Sequence, residues 1–247
     1  MQLSLCTELF HTAALIHDDI MDKAKTRRGG PTVHEYFARK LQIRHSGDPA
    51  EGGGLQNRFW TSQNDDEAHE LGINLAILAG DLCLIWADEI FSLSKIDRRL
   101  LLKVKKQFDL LREEVIFGQS LDLIKVEPCT RFHLLKIYEY KTARYSFVRP
   151  LLLGAVLAEA DKKQKEAISN YAIPVGIAFQ IQDDLLDSET ELLGTKKECK
   201  DLAKDLINKG KRAIIEYSSQ TRYNGVLAIE AKEFLLELAD YSVTRQS

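Results

Sequence analysis

Three aspartates close an apolar run: Asp18, Asp19 and Asp22 in "LIHDDIMD". A second trio, Asp183, Asp184 and Asp187 in "FQIQDDLLD", repeats the spacing DDxxD. On a helix, side chains four apart share a face at roughly 5–6 Å between Cβ atoms. Asp18 therefore pairs with Asp22, and Asp183 with Asp187. Both trios fall where an apolar helix ends, and there the helix dipole disfavours negative charge. Like charges so placed repel, so the arrangement needs a compensating cation. Carboxylate oxygens suit a hard divalent ion such as Mg²⁺, which keeps several waters and is completed by substrate phosphates. One trio alone reads equally well as a solvated helix end; two, each closing an apolar helix, argue against that. Arg27 and Arg28 follow the first trio in "TRRGGPT", and Gln180 lies a turn before the second.

The elements that must carry these residues read as helices. Residues 3–22 form one helix with little polar surface, expected to be buried on most sides. The "RRGGP" segment ends it, and Thr32 is placed to cap a short helix through "VHEYFARK". Residues 41–67 read as a long, mobile, glycine-bearing loop insertion, with Phe59 and Trp60 as possible anchors and the acidic "NDDE" as solvated loop. Helical periodicity then covers residues 67–94 and 97–125, with Pro128 marking the end of the latter. "TRFHLLKIYEYKTARYSFVRPLLLGAVLAEA" gives a helix broken or kinked at Pro150. "KQKEAISNYAIPVGIAFQIQDDLLDS" gives another, with a kink at Pro174. After a polar link, "KEFLLELADYSV" supplies a terminal amphipathic helix. No stretch alternates with period two and no repeat stands out, so the expected fold class is all-α, in one domain over residues 1–247.

Composition narrows the classes further. With 34 basic and 37 acidic side chains the net charge is −3, so no global field points to nucleic acid or an anionic membrane. Cys6, Cys83, Cys129 and Cys199 are scattered without metal spacing and read as free thiols of a reducing compartment. No apolar run reaches membrane-spanning length, and the N-terminal residues lack a signal-peptide pattern. A cytoplasmic protein without stable membrane insertion is expected.

The two acidic motifs and the arginine pair resemble those of the trans-polyprenyl diphosphate synthases, a family with the isoprenoid-synthase fold. Between them "ILAGD" (Ile77 to Asp81), "GQSLDL" (Gly118 to Leu123) and "YKTARYSF" (Tyr140 to Phe147) stand in family order. The resemblance spans residues 1 to about 215. It implies a bundle of long helices around a central cavity, with both aspartate motifs at its mouth binding three Mg²⁺ ions and an allylic diphosphate. By that resemblance Asp18, Asp22 and Asp183 are direct Mg²⁺ ligands, and Asp19, Asp184 and Asp187 give direct or water-mediated support. Arg27, Lys141 and Lys197 are implied to clamp the allylic diphosphate. Arg28 and His11 are implied to hold isopentenyl diphosphate. Thr142 and Gln180 are implied to place polar oxygens beside the allylic cation, with released diphosphate as the base. Lys211, in "NKGKR", resembles a late lysine that closes over the site. His17 reads as structural.

Product length in this family follows the helix that leads into the first motif. Ala13 and Ala14 resemble the small pair of longer-chain enzymes, and Phe10 lies one turn deeper, about 5.4 Å. Phe10, or a residue from another helix, is the expected floor, giving a C20 product, with C25 or longer also open. The family's upstream basic segment has no counterpart here, so one or more preceding helices are expected to be missing. The implied substrates are isopentenyl diphosphate and dimethylallyl, geranyl or farnesyl diphosphate, and the implied assembly is a homodimer. Two other readings are a class I terpene cyclase, which the intact second DDxxD opposes, and a catalytically weak regulatory subunit of a heteromeric synthase.

Overall fold

The computed structural model describes residues 2–46, 65–124, 130–187, 193–220 and 226–245. Contacts within the chain gather into two compact units, residues 1–95 and 96–247.

The first unit holds α1 (Gln2–Met21), a hairpin of β1 (Thr26–Arg27) and β2 (Gly30–Pro31), α2 (Val33–Ser46) and α3 (Asp65–Ser92). Against the expectation for α1, a single stripe is buried: Cys6, Phe10, Ala13, Ile16 and Asp19, at helical spacings of three and four. Within the unit α1 packs on α3 along that one side. The buried positions of α3 are mostly small, Ala68, Gly72, Ala76, Gly80 and Ala87, which lets α1 and α2 approach its backbone closely. The hairpin is the one departure from the all-α expectation among the described residues, and it is two residues deep on each side.

Three expectations need correction here. α2 runs to Ser46 and α3 starts at Asp65, so both ends of the 41–67 stretch are helical; residues 47–64, with Phe59 and Trp60, lie outside the described residues. Asp65, Asp66 and Glu67 are the exposed first turn of α3 rather than loop, at the helix end where the dipole favours negative charge. By length and composition α3 is also apolar enough to cross a membrane. Asp81 and Asp88 interrupt its apolar letters without making the helix polar on average.

The second unit holds α4 (Arg98–Ile124), α5 (Arg131–Tyr138), a π-helical segment (Glu139–Val148), α6 (Arg149–Leu157), α7 (Lys162–Asp187), α8 (Lys196–Gln220) and α9 (Val226–Thr244). Pro128 and Cys129 lie outside the described residues; Cys6, Cys83 and Cys199 are free thiols. α7 is the centre of this unit, with Tyr171, Ala172, Val175, Ala178 and Ile181 fully enclosed. It packs against α8, α9 and the π segment, and the Tyr171 hydroxyl donates to the Leu235 carbonyl of α9 at 2.6 Å. α7 continues through Pro174 without a break.

At Pro150 the expected break takes the form of a change in helix type. The π segment closes with the Arg149 N–H bonded to the Arg144 carbonyl five residues back, and Pro150 then opens α6. Proline is tolerated at that first turn because its missing N–H is not required there. The polar link expected before the terminal helix is instead the 25-residue α8. Its buried residues, Cys199, Ala203, Ile207 and Ile214, keep helical spacing, with Leu202 and Leu206 packed beside them and many charges on the other face.

Candidate active site

In the first unit, Asp18 and Asp19 occupy the last turn of α1, and the Asp22 N–H still bonds the Asp18 carbonyl at 2.8 Å. The two neighbours have opposite surroundings. Asp19 is buried and accepts the Arg27 Nε–H at 2.7 Å, whereas Asp18 keeps more solvent and meets Arg27 Nη2 at 3.4 Å. Asp22 is exposed. The hairpin explains the arginine pair. Thr26 pairs with Pro31 and Arg27 with Gly30, leaving Arg28 and Gly29 as a two-residue turn with φ of 52° and 77°. Both positive angles are what a tight hairpin needs, and glycine takes the second at no steric cost. The turn sends Arg27 back onto the aspartates and leaves Arg28 exposed at the tip. Thr32 occupies the position before α2, but its hydroxyl donates to the Ala24 carbonyl at 2.8 Å, so it closes the base of this loop instead of capping the helix. His17 lies against α3, with its Nε2 3.3 Å from the Ile77 carbonyl oxygen and 3.7 Å from Asp81. A Cβ at Gly80 of "ILAGD" would run into the His17 ring, with Cδ2 2.7 Å away, so the ring sits directly against the glycine.

In the second unit, Asp183, Asp184 and Asp187 form the last turn of α7. Asp184 is buried; the Tyr138 hydroxyl donates to its Oδ2, and Gln180 Nε2 donates to its Oδ1 at 2.9 Å. Gln180 is fixed in turn, since its Oε1 accepts the Thr142 hydroxyl at 2.6 Å. Asp183 accepts a bond from Arg245, just beyond α9, and Asp187 is exposed. Burial pushes the Asp183 carboxyl up, opposed by Arg245. Burial also pushes Asp184 up, opposed by the bonds from Tyr138 and Gln180. Both shifts have the same leading cause, the cost of taking a carboxylate out of water. Lys141, in the π segment, donates to Asp122 of "GQSLDL" at 2.6 Å. Gly118 of the same motif permits this, because a Cβ there would lie 2.6 Å from the Lys141 Cα.

The remaining predicted residues are placed as follows. His11 is half-buried in α1; burial lowers its pKa, Glu8 opposes this, and Arg28 and Arg27 add to it. Ala13 is fully enclosed and Phe10 nearly so, while Ala14 keeps some surface. Lys197 is exposed on α8. Lys211 is ion-paired with Asp240 of α9. Tyr138, Asp122 and Arg245 were given no role from the sequence. Of these, Asp122 alone has a sequence signal, as the acidic residue of "GQSLDL" available to the lysine of "YKTARYSF". Nothing in spacing alone points to Tyr138 or Arg245, which only the folded chain brings to the aspartates.

The donor set fits Mg²⁺: every candidate ligand is a carboxylate oxygen, and the outer carboxylates, Asp22 and Asp187, open to water. Among the described residues no three acidic, histidine or cysteine side chains are already gathered around one point. Such a set needs an incoming ligand to complete the coordination.

Residues 1–210 match the polyprenyl synthetase family. The chain belongs to that family. Among its polyprenyl synthetase relatives, the short chain isoprenyl diphosphate synthase of Methanocaldococcus jannaschii is 32% identical over 84% of this chain and 52% of its own length. The geranylgeranyl pyrophosphate synthase of Geoglobus acetivorans is 30% identical over 86% of this chain and 54% of its own. The chain thus spans about half the length of the curated relatives it matches. The fold is that of solved synthases: a geranylgeranyl pyrophosphate synthase of Corynebacterium glutamicum, complexed with isoprenyl diphosphate and magnesium, aligns over 99% of this chain and 78% of its own. That alignment has a TM-score of 0.78 at 22% identity.

Proposed function

We propose that the chain is a Mg²⁺-dependent prenyltransferase that condenses isopentenyl diphosphate with an allylic diphosphate, head to tail and trans. The observation that carries this reading is the repeated helix-terminal aspartate motif, the first with a cationic hairpin folded against it. Family membership over residues 1–210 supports it. Asp18 and Asp22 of the first motif, and Asp183 and Asp187 of the second, would be the ligands of the three Mg²⁺ ions, with Asp19 and Asp184 supporting from their buried positions. The bound ions supply Lewis acidity to the departing diphosphate.

This chain's own residues bind and orient. Lys141, already aimed by Asp122, binds the allylic diphosphate with Arg27 and Lys197 by charge-assisted hydrogen bonds. Arg28, displayed at the hairpin tip, and His11 hold isopentenyl diphosphate. Thr142 and Gln180, locked together, present polar oxygens to the allylic cation, and released diphosphate takes the proton. Lys211 acts as the closing lysine only by exchanging Asp240 for substrate. The two units are parts of one synthase domain, working in the cytoplasm as a homodimer without stable membrane insertion. The assembly is supported by exposed apolar residues on α3, Leu78, Leu82, Ile85 and Trp86.

The deciding assay incubates the full-length protein with Mg²⁺, radiolabelled isopentenyl diphosphate and dimethylallyl, geranyl or farnesyl diphosphate, and sizes the product. A product of C20 or longer is expected. No product from the protein alone overturns the reading in favour of a regulatory subunit, and a cyclised hydrocarbon in favour of a terpene cyclase. Chain length is set at Ala14, the one of the small pair with surface left to meet a growing tail. Ala14→Phe is expected to shorten the product, and an unchanged length would remove α1 from that role.

A further inference from the structure

The second aspartate of each acidic motif turns into the protein, and the two are held by different chemistry. Asp19 meets a cation, Arg27. Asp184 has no ion pair among the described residues; its two oxygens take hydrogen bonds from neutral groups, the Tyr138 hydroxyl and the Gln180 amide. Tyr138 is the last residue of α5, immediately before the π segment that carries Lys141 and Thr142. It is 6% exposed, and a buried phenol needs a hydrogen-bond partner. Asp184 is that partner. A continuous path therefore runs from Tyr138 to Asp184, to Gln180 and to Thr142.

We infer that Tyr138 is a positioning residue of the second acidic motif: its hydroxyl fixes the Asp184 carboxylate, and with it the motif's hold on divalent cations and the direction of the Gln180 amide. The inference rests on the function proposed above and deepens it. An outer hydrogen-bond partner that sets the direction of a carboxylate typically governs metal affinity by about 10- to 100-fold. Without the hydroxyl, Asp184 Oδ2 is left buried and unsatisfied, and the carboxylate turns to find water or a proton. Gln180 then loses the acceptor that keeps its Nε2 on α7 and its Oε1 on Thr142.

The test is Mn²⁺ binding to the full chain in the presence of inorganic pyrophosphate, followed by electron paramagnetic resonance. Four proteins are compared: unsubstituted, Tyr138→Phe, Asp184→Asn and the double variant. Tyr138→Phe is expected to weaken Mn²⁺ binding by roughly tenfold, and to add no further loss once Asp184 is Asn. Unchanged Mn²⁺ affinity in Tyr138→Phe, or losses that simply add in the double variant, overturn the inference while leaving the proposed function intact. An unsubstituted chain that takes up no Mn²⁺ overturns both. Should the Tyr138→Phe substitution prevent folding, 3-fluorotyrosine placed at position 138 of the otherwise unchanged chain gives the same answer. Its fluorine resonance must move as Mg²⁺ and pyrophosphate are added, with the midpoint of metal binding; a fixed resonance overturns the inference.

Discussion

Asp18 and Asp19 are chain neighbours that do different work, because successive residues of a helix point about 100° apart. Asp19 continues the buried stripe of α1 through Cys6, Phe10, Ala13 and Ile16, and Arg27 neutralises it there. Asp18 lies beside that stripe with more solvent. Substituting each by asparagine should therefore separate chemistry from stability. Asp18→Asn is expected to lower kcat by about a thousandfold, the effect of losing several kcal/mol of Lewis-acid charge stabilisation, with its melting temperature preserved. Asp19→Asn is expected to destabilise the fold by roughly 1–3 kcal/mol, because Arg27 loses a charged, buried acceptor. Turnover and thermal melts on both variants check this, and equal destabilisation by the two would contradict it. The division was legible in the sequence. Counting threes and fours back from the DDxxD motifs puts Asp19 on the apolar face of α1. The same count puts Asp184 in line with Tyr171, Ala178 and Ile181 on α7. What spacing could not reveal is the partner each buried carboxylate would find, since Arg27 arrives by a hairpin turn and Tyr138 from another helix.

At the scale of elements, the π segment matters most, because it carries Lys141 and Thr142 and is tied down by ions. Glu139 accepts Lys136 Nζ at 2.8 Å and Arg144 Nε at 2.9 Å. Arg144 also reaches Glu114 of α4 at 2.9 Å, and Arg149 at the start of α6 reaches the same Glu114 at 2.7 Å. Burial alone would raise the pKa of Glu139, but the bonds from Lys136 and Arg144 win and hold it below the ordinary glutamate value. A depressed folded pKa means stability that is full above the unfolded value, about 4.3, and lost as pH falls through the lower folded one. Glu139→Gln is therefore expected to cost roughly 1–3 kcal/mol at pH 7 and to flatten the loss of stability below about pH 4.3. Thermal melts across pH check this, and an unchanged acid limb would contradict it. The end of α9 makes a second element-scale contact. Arg245 lies 3.7 Å over the Phe179 ring, takes a bond on its carbonyl from Gln182 at 3.3 Å, and donates to Asp183. Arg245→Gln should tighten Mn²⁺ binding about fivefold, as expected when a competing ion pair worth about 1 kcal/mol is removed; weaker binding, measured by calorimetry, would show that Arg245 assists the metal. Most of these helices were visible as periodicity, and Pro150 marked the end of the π segment. α8 was legible as well: Cys199, Leu202, Ala203, Leu206, Ile207 and Ile214 recur at helical spacing, although the lysines and aspartates of its other face make it read as a polar link. The helix type at Lys141 was not visible, since a π turn has no letter pattern of its own.

At the scale of the whole molecule, one unexplained surface is on α3. Its small residues Ala68, Gly72, Ala76 and Gly80 face α1 and α2, while Leu78, Leu82, Ile85 and Trp86 stay exposed, Leu78 at 63% and Ile85 at 61%. These four fall at i, i+4, i+7 and i+8, one continuous stripe of a helix. Apolar side chains gathered in a stripe, unlike single ones scattered over a surface, mark a place that is covered in the working molecule. A second copy of the chain, laid stripe to stripe, would cover α3, and so would a lipid surface, for which its length and apolar content also suffice. Asp81 and Glu89, one turn either side of Ile85, favour the copy. A charged side chain in hydrocarbon costs about 2.5–3.5 kcal/mol at the membrane centre, while at the rim of a protein interface it remains hydrated. Leu78→Lys combined with Ile85→Lys is expected to convert a dimer to a monomer in sedimentation velocity while leaving the helical circular dichroism unchanged. It should also leave the full chain's behaviour towards neutral lipid vesicles in flotation as it was. Loss of vesicle binding with no change in sedimentation would assign the stripe to lipid, and a variant still dimeric would move the interface off α3.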